Sequence, residues 1–282
     1  MSEPPFRSVA IVGLGLIGGS LALALRERWP SVRVTGVDSE AVIAHVRGSG
    51  AIDRSASDLA EVTDVDLVVL AAPVRQNLEL LGRLRAPSAV VTDVGSTKRV
   101  MVEAGRSLPE SVVFVGGHPL GGAERGGFAF ARANLFDRRP WIFTPDGSIG
   151  GAAVASLTRL VEGLGAEAVT MDADDHDRLM SFLSHLPQLT ASALMDVVGD
   201  GAGSEGLRLA GRGLVDTTRL ASSPANVWGD VCQTNVEPIR HALDVLIGRL
   251  TLLRENLDTP GAIDDLFRDA ASWRAVLMKD RE

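Results

Sequence analysis

Five histidines occur in the chain, and two of them stand where an imidazole could do chemistry. His118 sits in Gly116-Gly-His-Pro-Leu-Gly-Gly122, and His185 in Ser184-His-Leu-Pro-Gln188. A neutral imidazole is the side chain best matched to accepting a proton near neutral pH. Upstream, Asp93-Val-Gly-Ser-Thr-Lys98 brings Ser96 and Lys98 after an apolar run, and Ser111-Val-Val-Phe-Val115 runs directly into the His118 segment. Two successive strands would therefore deliver Ser96, Lys98 and His118 to one edge of a sheet, where α/β proteins place their reacting groups. Lys98 itself reads as a solvated lysine in a first helical turn, and Ser96 also suits an N-cap for a helix starting at Thr97. His45 and His241 read as helix-surface positions. His176, in Asp172-Ala-Asp-Asp-His-Asp177, reads as part of a solvated, N-capping acidic turn rather than a metal cluster.

The elements that must position these groups begin at Ser8-Val-Ala-Ile-Val-Gly-Leu-Gly-Leu-Ile-Gly-Gly-Ser20. An apolar strand enters a glycine turn and leaves as a buried helix. Gly13 permits the tight turn, Gly15 lets backbone approach a pyrophosphate, and Gly18 allows helix and strand to pack closely. With Leu16 and Ile17, they place the N–H groups of a helix N-terminus against a phosphate. A second β-like run, Val32 to Val37, ends in Asp38, where a carboxylate would accept hydrogen bonds from both ribose hydroxyls and repel a 2′-phosphate. NAD is thus expected over NADP. Leu67-Val-Val-Leu-Ala-Ala-Pro-Val74 reads as a buried strand whose end, Ala72, Pro73 and Val74, lines the nicotinamide ribose. A hydride leaving a carbinol carbon for NAD+ requires the hydroxyl proton to be taken at nearly the same time, the work suited to a neutral histidine.

Alternation of strands and helices continues through Gly165-Ala-Glu-Ala-Val-Thr170, and from Met171 the pattern is helical. The expected fold is α/β: a Rossmann-type doubly wound sheet over 1–170, followed by an all-α domain over 171–282. Other expectations are specific. Residues between the helix ending at Arg47 and Asp66 are irregular. A strand runs from Pro87 to Asp93, a glycine- and arginine-containing connection covers 123–139, and a helix covers 149–162. His176 to Val198 form one long segment interrupted near Pro187, Gly199 to Gly213 a glycine-rich loop, and Thr259 and Pro260 the start of a last helix. Leu243, Leu246, Leu250, Leu253 and Leu257 recur at helical spacing, a stripe suited to a subunit interface.

Composition narrows the classes. The 282 residues are 45% hydrophobic, enough for a sizeable core, and 28 basic against 36 acidic residues leave a net charge of −8. Such a balance attracts neither nucleic acid nor an anionic membrane. No run reaches the roughly 18 apolar residues of a membrane span, and no signal-peptide pattern opens the chain, so a cytoplasmic protein is expected. The single Cys232 reads as a small core residue.

Taken together, Gly13-x-Gly-x-x-Gly-Gly-Ser20, Asp93-Val-Gly-Ser-Thr-Lys98, Gly117-His-Pro-Leu-Gly-Gly122, Ser184-His-Leu-Pro187 and Asp216-Thr-Thr-Arg-Leu-Ala221 followed by Trp228 resemble the prephenate/arogenate dehydrogenase family of tyrosine biosynthesis. The resemblance spans residues 8 to about 257. It implies an NAD(P)-dependent oxidative decarboxylation of prephenate to 4-hydroxyphenylpyruvate or of arogenate to tyrosine, a reaction whose chemistry needs no metal, while the leucine stripe points to a homodimer joined through the helical domain. It also implies roles: His118 polarises the ring C4 hydroxyl, Ser96 contacts that hydroxyl or the imidazole, Arg219 grips a substrate carboxylate, and His185 shapes the cleft. Gln188 departs from a histidine frequent in prephenate-using relatives, at a position that contacts the substrate side chain, and leaves arogenate or dual use as the alternative. No chorismate mutase segment is expected before residue 8 and no regulatory domain after 282, so inhibition by tyrosine is expected to be competitive. A β-hydroxyacid dehydrogenase or imine reductase is disfavoured because no lysine lies between Met171 and Asp200. A vestigial nicotinamide-sensing protein is disfavoured because Ser96, His118 and Arg219 are all present.

Overall fold

The computed structural model describes residues 3–84, 89–122, 125–147 and 150–279. These fall into two compact units, Met1–Val236 and Glu237–Glu282. The expected strand start at Pro87, the Ala123-Glu124 part of the connection and the helix start at 149 lie outside the described residues.

The first unit holds an eight-stranded sheet: β1 (Ser8–Val12), β2 (Arg33–Val37), β3 (Arg54–Ala56), β4 (Leu67–Leu70), β5 (Val90–Asp93), β6 (Val113–Pro119), β7 (Pro140–Thr144) and β8 (Glu167–Thr170). Their order is β3-β2-β1-β4-β5-β6-β7-β8. The first six strands are parallel, β7 runs antiparallel to β6, and β8 is parallel to β7. β1 is buried at every residue, so it is apolar throughout rather than alternating. Val9 and Ile11 pack into the core on one face with Leu21, Leu25 and Trp29, and Ala10 and Val12 into that on the other with Val68, Leu80 and Met101. Each buried aliphatic side chain of this kind contributes about 1.5–3 kcal/mol.

Helices α1 (Leu16–Arg28), α2 (Glu40–Arg47), α3 (Val74–Arg83), α4 (Arg99–Gly105) and α5 (Gly151–Gly163) connect the strands. The order reverses between β1 and β4, which opens the crevice at the carboxyl ends of the strands. Register brings those ends level, since Val12 pairs with both Val37 and Leu70.

The helical segment begins with α6 (Ala173–Met180), a π-helical turn (Ser181–His185) and α7 (Leu186–Leu207). The interruption expected near Pro187 is this wider turn: proline offers no N–H to the preceding turn, and a π-helical residue absorbs the mismatch. The loop expected over Gly199 to Gly213 is corrected. α7 continues through Gly199 and Gly201 to Leu207, broken only at Gly203 (φ 62°, ψ 176°), and a short α8 (Arg212–Thr217) follows. Each helical glycine costs about 1 kcal/mol, too little to stop a long helix. A 3₁₀ turn (Arg219–Ser222) and α9 (Ala225–Thr234) come next.

α10 (Val236–Glu255) and α11 (Asp264–Met278) account for the second unit. The last helix does not start at Thr259. Gly261 takes φ +80°, which a right-handed helix cannot include, and Ile263 is the N-cap. Along α10 and beyond it, Leu250 and Leu257 are exposed while Leu243, Leu246 and Leu253 are half-buried. Trp273 (74% exposed) and Phe267 (68% exposed) add to an uncovered apolar surface on this unit. One strand escaped the sequence pattern: β3 occupies part of the stretch expected to be irregular, paired only to β2 at the sheet edge. Cys232 is half-buried, and burial raises its thiol pKa.

Candidate active site

After β1 the glycines make the tight turn and the close packing that their spacing implies. Gly13 takes φ +96°, and a Cβ there would lie 2.7 Å from the Ala71 carbonyl; at Gly18 a Cβ would lie 1.9 Å from the Gly13 carbonyl oxygen. At Gly15 nothing stands within 4 Å, which leaves the backbone open to an incoming group. α1 has Gly15 as its N-cap with no side-chain cap and no acidic residue in its first turn, so the N–H groups of Leu16, Ile17 and Gly18 face no competing carboxylate there. Asp38 follows β2, its Oδ2 accepting from the Leu14 N–H (2.7 Å) and its Oδ1 from the Ser39 N–H (2.7 Å). With one bond to each, both oxygens can accept a further hydrogen bond. Ala72 and Pro73 follow β4, and Val74 opens α3, all at the crevice. Buried Asn77 pins this end by donating to the carbonyls of Leu70 (3.1 Å) and Ala72 (2.9 Å).

Beyond the crevice, β5 leads to Ser96 and β6 carries His118, but the lysine between them is not solvated. Lys98 is fully buried; its ammonium donates to the Asp93 carboxylate and to the Gly117 carbonyl (2.7 Å). Asp93, also fully buried, accepts from the N–H groups of Gly95 (2.8 Å) and Gly117 (3.1 Å). One ion pair thus ties the Ser96 turn to the strand end that carries His118. Nor does Ser96 cap a helix. α4 starts at Arg99, and its free N–H groups are met by Asp177, whose Oδ1 accepts from Lys98 N (2.7 Å) and Oδ2 from Arg99 N (3.0 Å). The Ser96 hydroxyl is half-buried, with no hydrogen-bond partner among the described residues.

The acidic turn divides in two. Asp172 N-caps α6 by accepting from Asp174 N (2.8 Å), and Asp174 and Asp175 are exposed, as expected. His176 and Asp177, however, are buried, which corrects the solvated reading. His176 Nε2 lies 2.8 Å from His118 Nδ1, and His176 Nδ1 lies 2.8 Å from Asp177 Oδ1. His185 enters the same cluster: Asn235 Nδ2 donates to the Asp177 carbonyl (2.9 Å) and to His185 Nδ1 (3.2 Å). With Nδ1 accepting, His185 carries its proton on Nε2, which is buried and unpartnered. Trp228 meets the His185 ring edge-on at 6.0 Å.

Gln188, also buried, spends both ends of its amide on protein. Its Nε2 donates to the Leu220 carbonyl (2.7 Å) and Ser192 Oγ (3.3 Å), and its Oε1 accepts from Ser223 Oγ (3.0 Å). It thereby fastens α7 to the turn bearing Arg219, whose exposed side chain has no partner among the described residues. Lys98 and His176, read from the sequence as solvated, belong to this buried cluster, and Asp93, Asp177, Asn235 and Asn77 are the members that sequence reasoning missed.

Burial, then the neighbouring His176, Lys98 and His185, hold His118 well below the usual histidine value of 6.5. Burial takes His185 down to about 4. Both rings are neutral at pH 7. A base with a lowered pKa stays competent as pH falls through 6.5, so the acid limb of kcat/KM is expected below that value. A limb above 6.5 in a pH profile would contradict it. Stability is expected to fall from pH 6.5 toward 4, the window in which the unfolded chain binds a proton that native His185 refuses.

A mostly parallel sheet that carries a glycine turn after β1, a carboxylate after β2 and a neutral histidine at the end of β6, all on its carboxyl edge, fits a dinucleotide-dependent dehydrogenase. Family models narrow this further: residues 21–170 match the prephenate dehydrogenase nucleotide-binding domain, and residues 172–269 the prephenate dehydrogenase dimerization domain. The chain belongs to the prephenate dehydrogenase family. It is 35% identical over 274 residues to prephenate dehydrogenase of Bacillus subtilis, covering 93% of this chain and 72% of that protein. It is 30% identical to cyclohexadienyl dehydrogenase of Zymomonas mobilis, covering 98% of each. Among solved structures, prephenate dehydrogenase from Aquifex aeolicus in complex with hydroxyphenyl propionate and NAD+ superposes with a TM-score of 0.89 at 28% identity, covering 98% of this chain and 99% of that one.

Proposed function

We propose that this chain oxidises prephenate with NAD+ and releases CO2, giving 4-hydroxyphenylpyruvate for tyrosine biosynthesis. The observation that carries the proposal is His118: a neutral imidazole at the end of β6, anchored through Nδ1, with no protein partner on Nε2 among the described residues. Gly13, Gly15, Leu16, Ile17 and Gly18 would hold the pyrophosphate, Asp38 the ribose diol, and Ala72, Pro73 and Val74 the nicotinamide end. NAD+ bound there supplies the acceptor for the hydride leaving ring C4. His118 Nε2 accepts the C4 hydroxyl proton, and Ser96 hydrogen-bonds that hydroxyl or the ring beside it. Loss of the C1 carboxylate as CO2 then makes the ring aromatic, and His118 returns the proton to the phenolate oxygen, so beyond this proton shuttle the protein need only orient the substrate and exclude water.

Arg219 takes the substrate carboxylate, as a guanidinium without a protein partner is suited to do. His185 offers its buried Nε2–H to the cleft wall. Gln188, assigned to substrate binding, acts on it through the Arg219 turn that it holds. The division of labour follows 1–170 for the nucleotide and 171–282 for substrate and dimerisation. The exposed apolar side chains of α10 and α11 support a homodimer through the helical part, in the cytoplasm, where an NAD-linked biosynthetic step has its cofactor pool.

NADH formation is the test. With NAD+, kcat/KM for prephenate is expected to exceed that for arogenate. The reverse order would make arogenate the substrate, and no NADH from either would overturn the proposal.

A further inference from the structure

We infer that His176 and Asp177 are positioning residues that set the tautomer of His118, so that its Nε2 is left unprotonated. The inference deepens, and rests on, the proton-accepting role given to His118 above.

Asp177, as a carboxylate, has no proton to give; it accepts from the N–H groups of Lys98 and Arg99 and from His176 Nδ1. Two backbone donors fix its orientation, so His176 must present Nδ1–H to it. A neutral His176 then has only a lone pair on Nε2. Among the described residues the group facing that lone pair is His118 Nδ1, 2.8 Å away, which must supply the proton. With Nδ1 protonated, neutral His118 is bare at Nε2. The proton on one ring nitrogen is thus dictated by what the other nitrogen meets. Packing holds the two rings in this contact: His176 is fully buried, and the two imidazoles meet edge-on at 5.1 Å. An imidazole free in water favours the opposite tautomer, Nε2–H, which could not accept the hydroxyl proton.

The rival arrangement protonates His176 twice. It would then donate from Nε2 to His118 Nδ1, and His118 would carry its proton on Nε2. Nitrogen NMR of the histidine-labelled enzyme without substrate separates the two. The inference expects His118 protonated on Nδ1 and bare on Nε2; a His118 Nε2–H would overturn it.

His176→Leu removes the acceptor. It is expected to shift His118 toward Nε2–H and lower kcat about 10²–10⁴-fold, with KM and NAD+ affinity within a few-fold of wild type. His176→Gln can still accept from His118 and donate to Asp177, and is expected to restore both the tautomer and most of kcat. An unchanged kcat in His176→Leu would overturn the inference. If that variant fails to fold, the wild-type spectrum decides alone. Because the spectrum needs no turnover, it stands even if the wild type proves inactive on prephenate, the result that strikes the proposed function instead.

Discussion

Replacing His118 by Asn is expected to lower kcat by roughly 10²–10⁴ while NAD+ affinity stays within a few-fold of wild type. Asparagine is polar and short enough for the end of β6, and its amide can donate to His176 in place of the imidazole Nδ1–H. What it lacks is a basic nitrogen. The nucleotide crevice is built from β1, α1 and the ends of β2 and β4, and His118 is the partner of none of them in hydrogen bonding. Loss of turnover with retained cofactor binding would therefore mark a lost proton acceptor rather than a damaged fold. Unchanged kcat would reject the assigned role, and a parallel collapse of NAD+ binding would point to misfolding.

The second large effect is expected from Lys98→Met, which should lower unfolding free energy by about 3–5 kcal/mol. Methionine fills the volume but leaves Asp93, fully buried, with two backbone N–H donors and no counter-charge. Removing one partner of a buried pair strands the other, and that penalty exceeds what the intact pair contributes. Adding Asp93→Asn should recover much of the loss because the stranded charge is gone. Urea midpoints of the three variants measure this. A single-variant change under about 1 kcal/mol would show that water or another cation reaches Asp93. Burial lowers the Lys98 pKa although Asp93 and Asp177 oppose it.

The contrast between these two residues shows what was legible in the chain. His118 stood out because its neighbours are glycine and proline at a strand end, and the glycine turn with Asp38 marked the crevice from spacing alone. Lys98 was misread because a lysine early in a helix is ordinarily solvated. Only the pairing of β5 with β6, a contact remote in sequence, puts Asp93 and Gly117 around its ammonium. His176 and Asp177 were hidden by the exposed Asp172, Asp174 and Asp175 beside them; helical spacing turns the first pair inward and the others out. The reversal of β7 was equally invisible, because a strand's composition does not encode its direction. Gln188 was recognised as a departure, but its bonds to Ser192, Leu220 and Ser223 depend on how the chain returns after α7.

The central claim is that one imidazole and one guanidinium act on the same small ring beside the nicotinamide. A crystal structure of the enzyme with NAD+ and a hydroxyphenyl carboxylate tests it most directly. His118 Nε2 should stand within about 3.2 Å of the ligand hydroxyl, with the Arg219 guanidinium on its carboxylate, from the same subunit or a partner. A ligand bound with its hydroxyl away from His118, or seated where Arg219 reaches it from no subunit, would contradict the account.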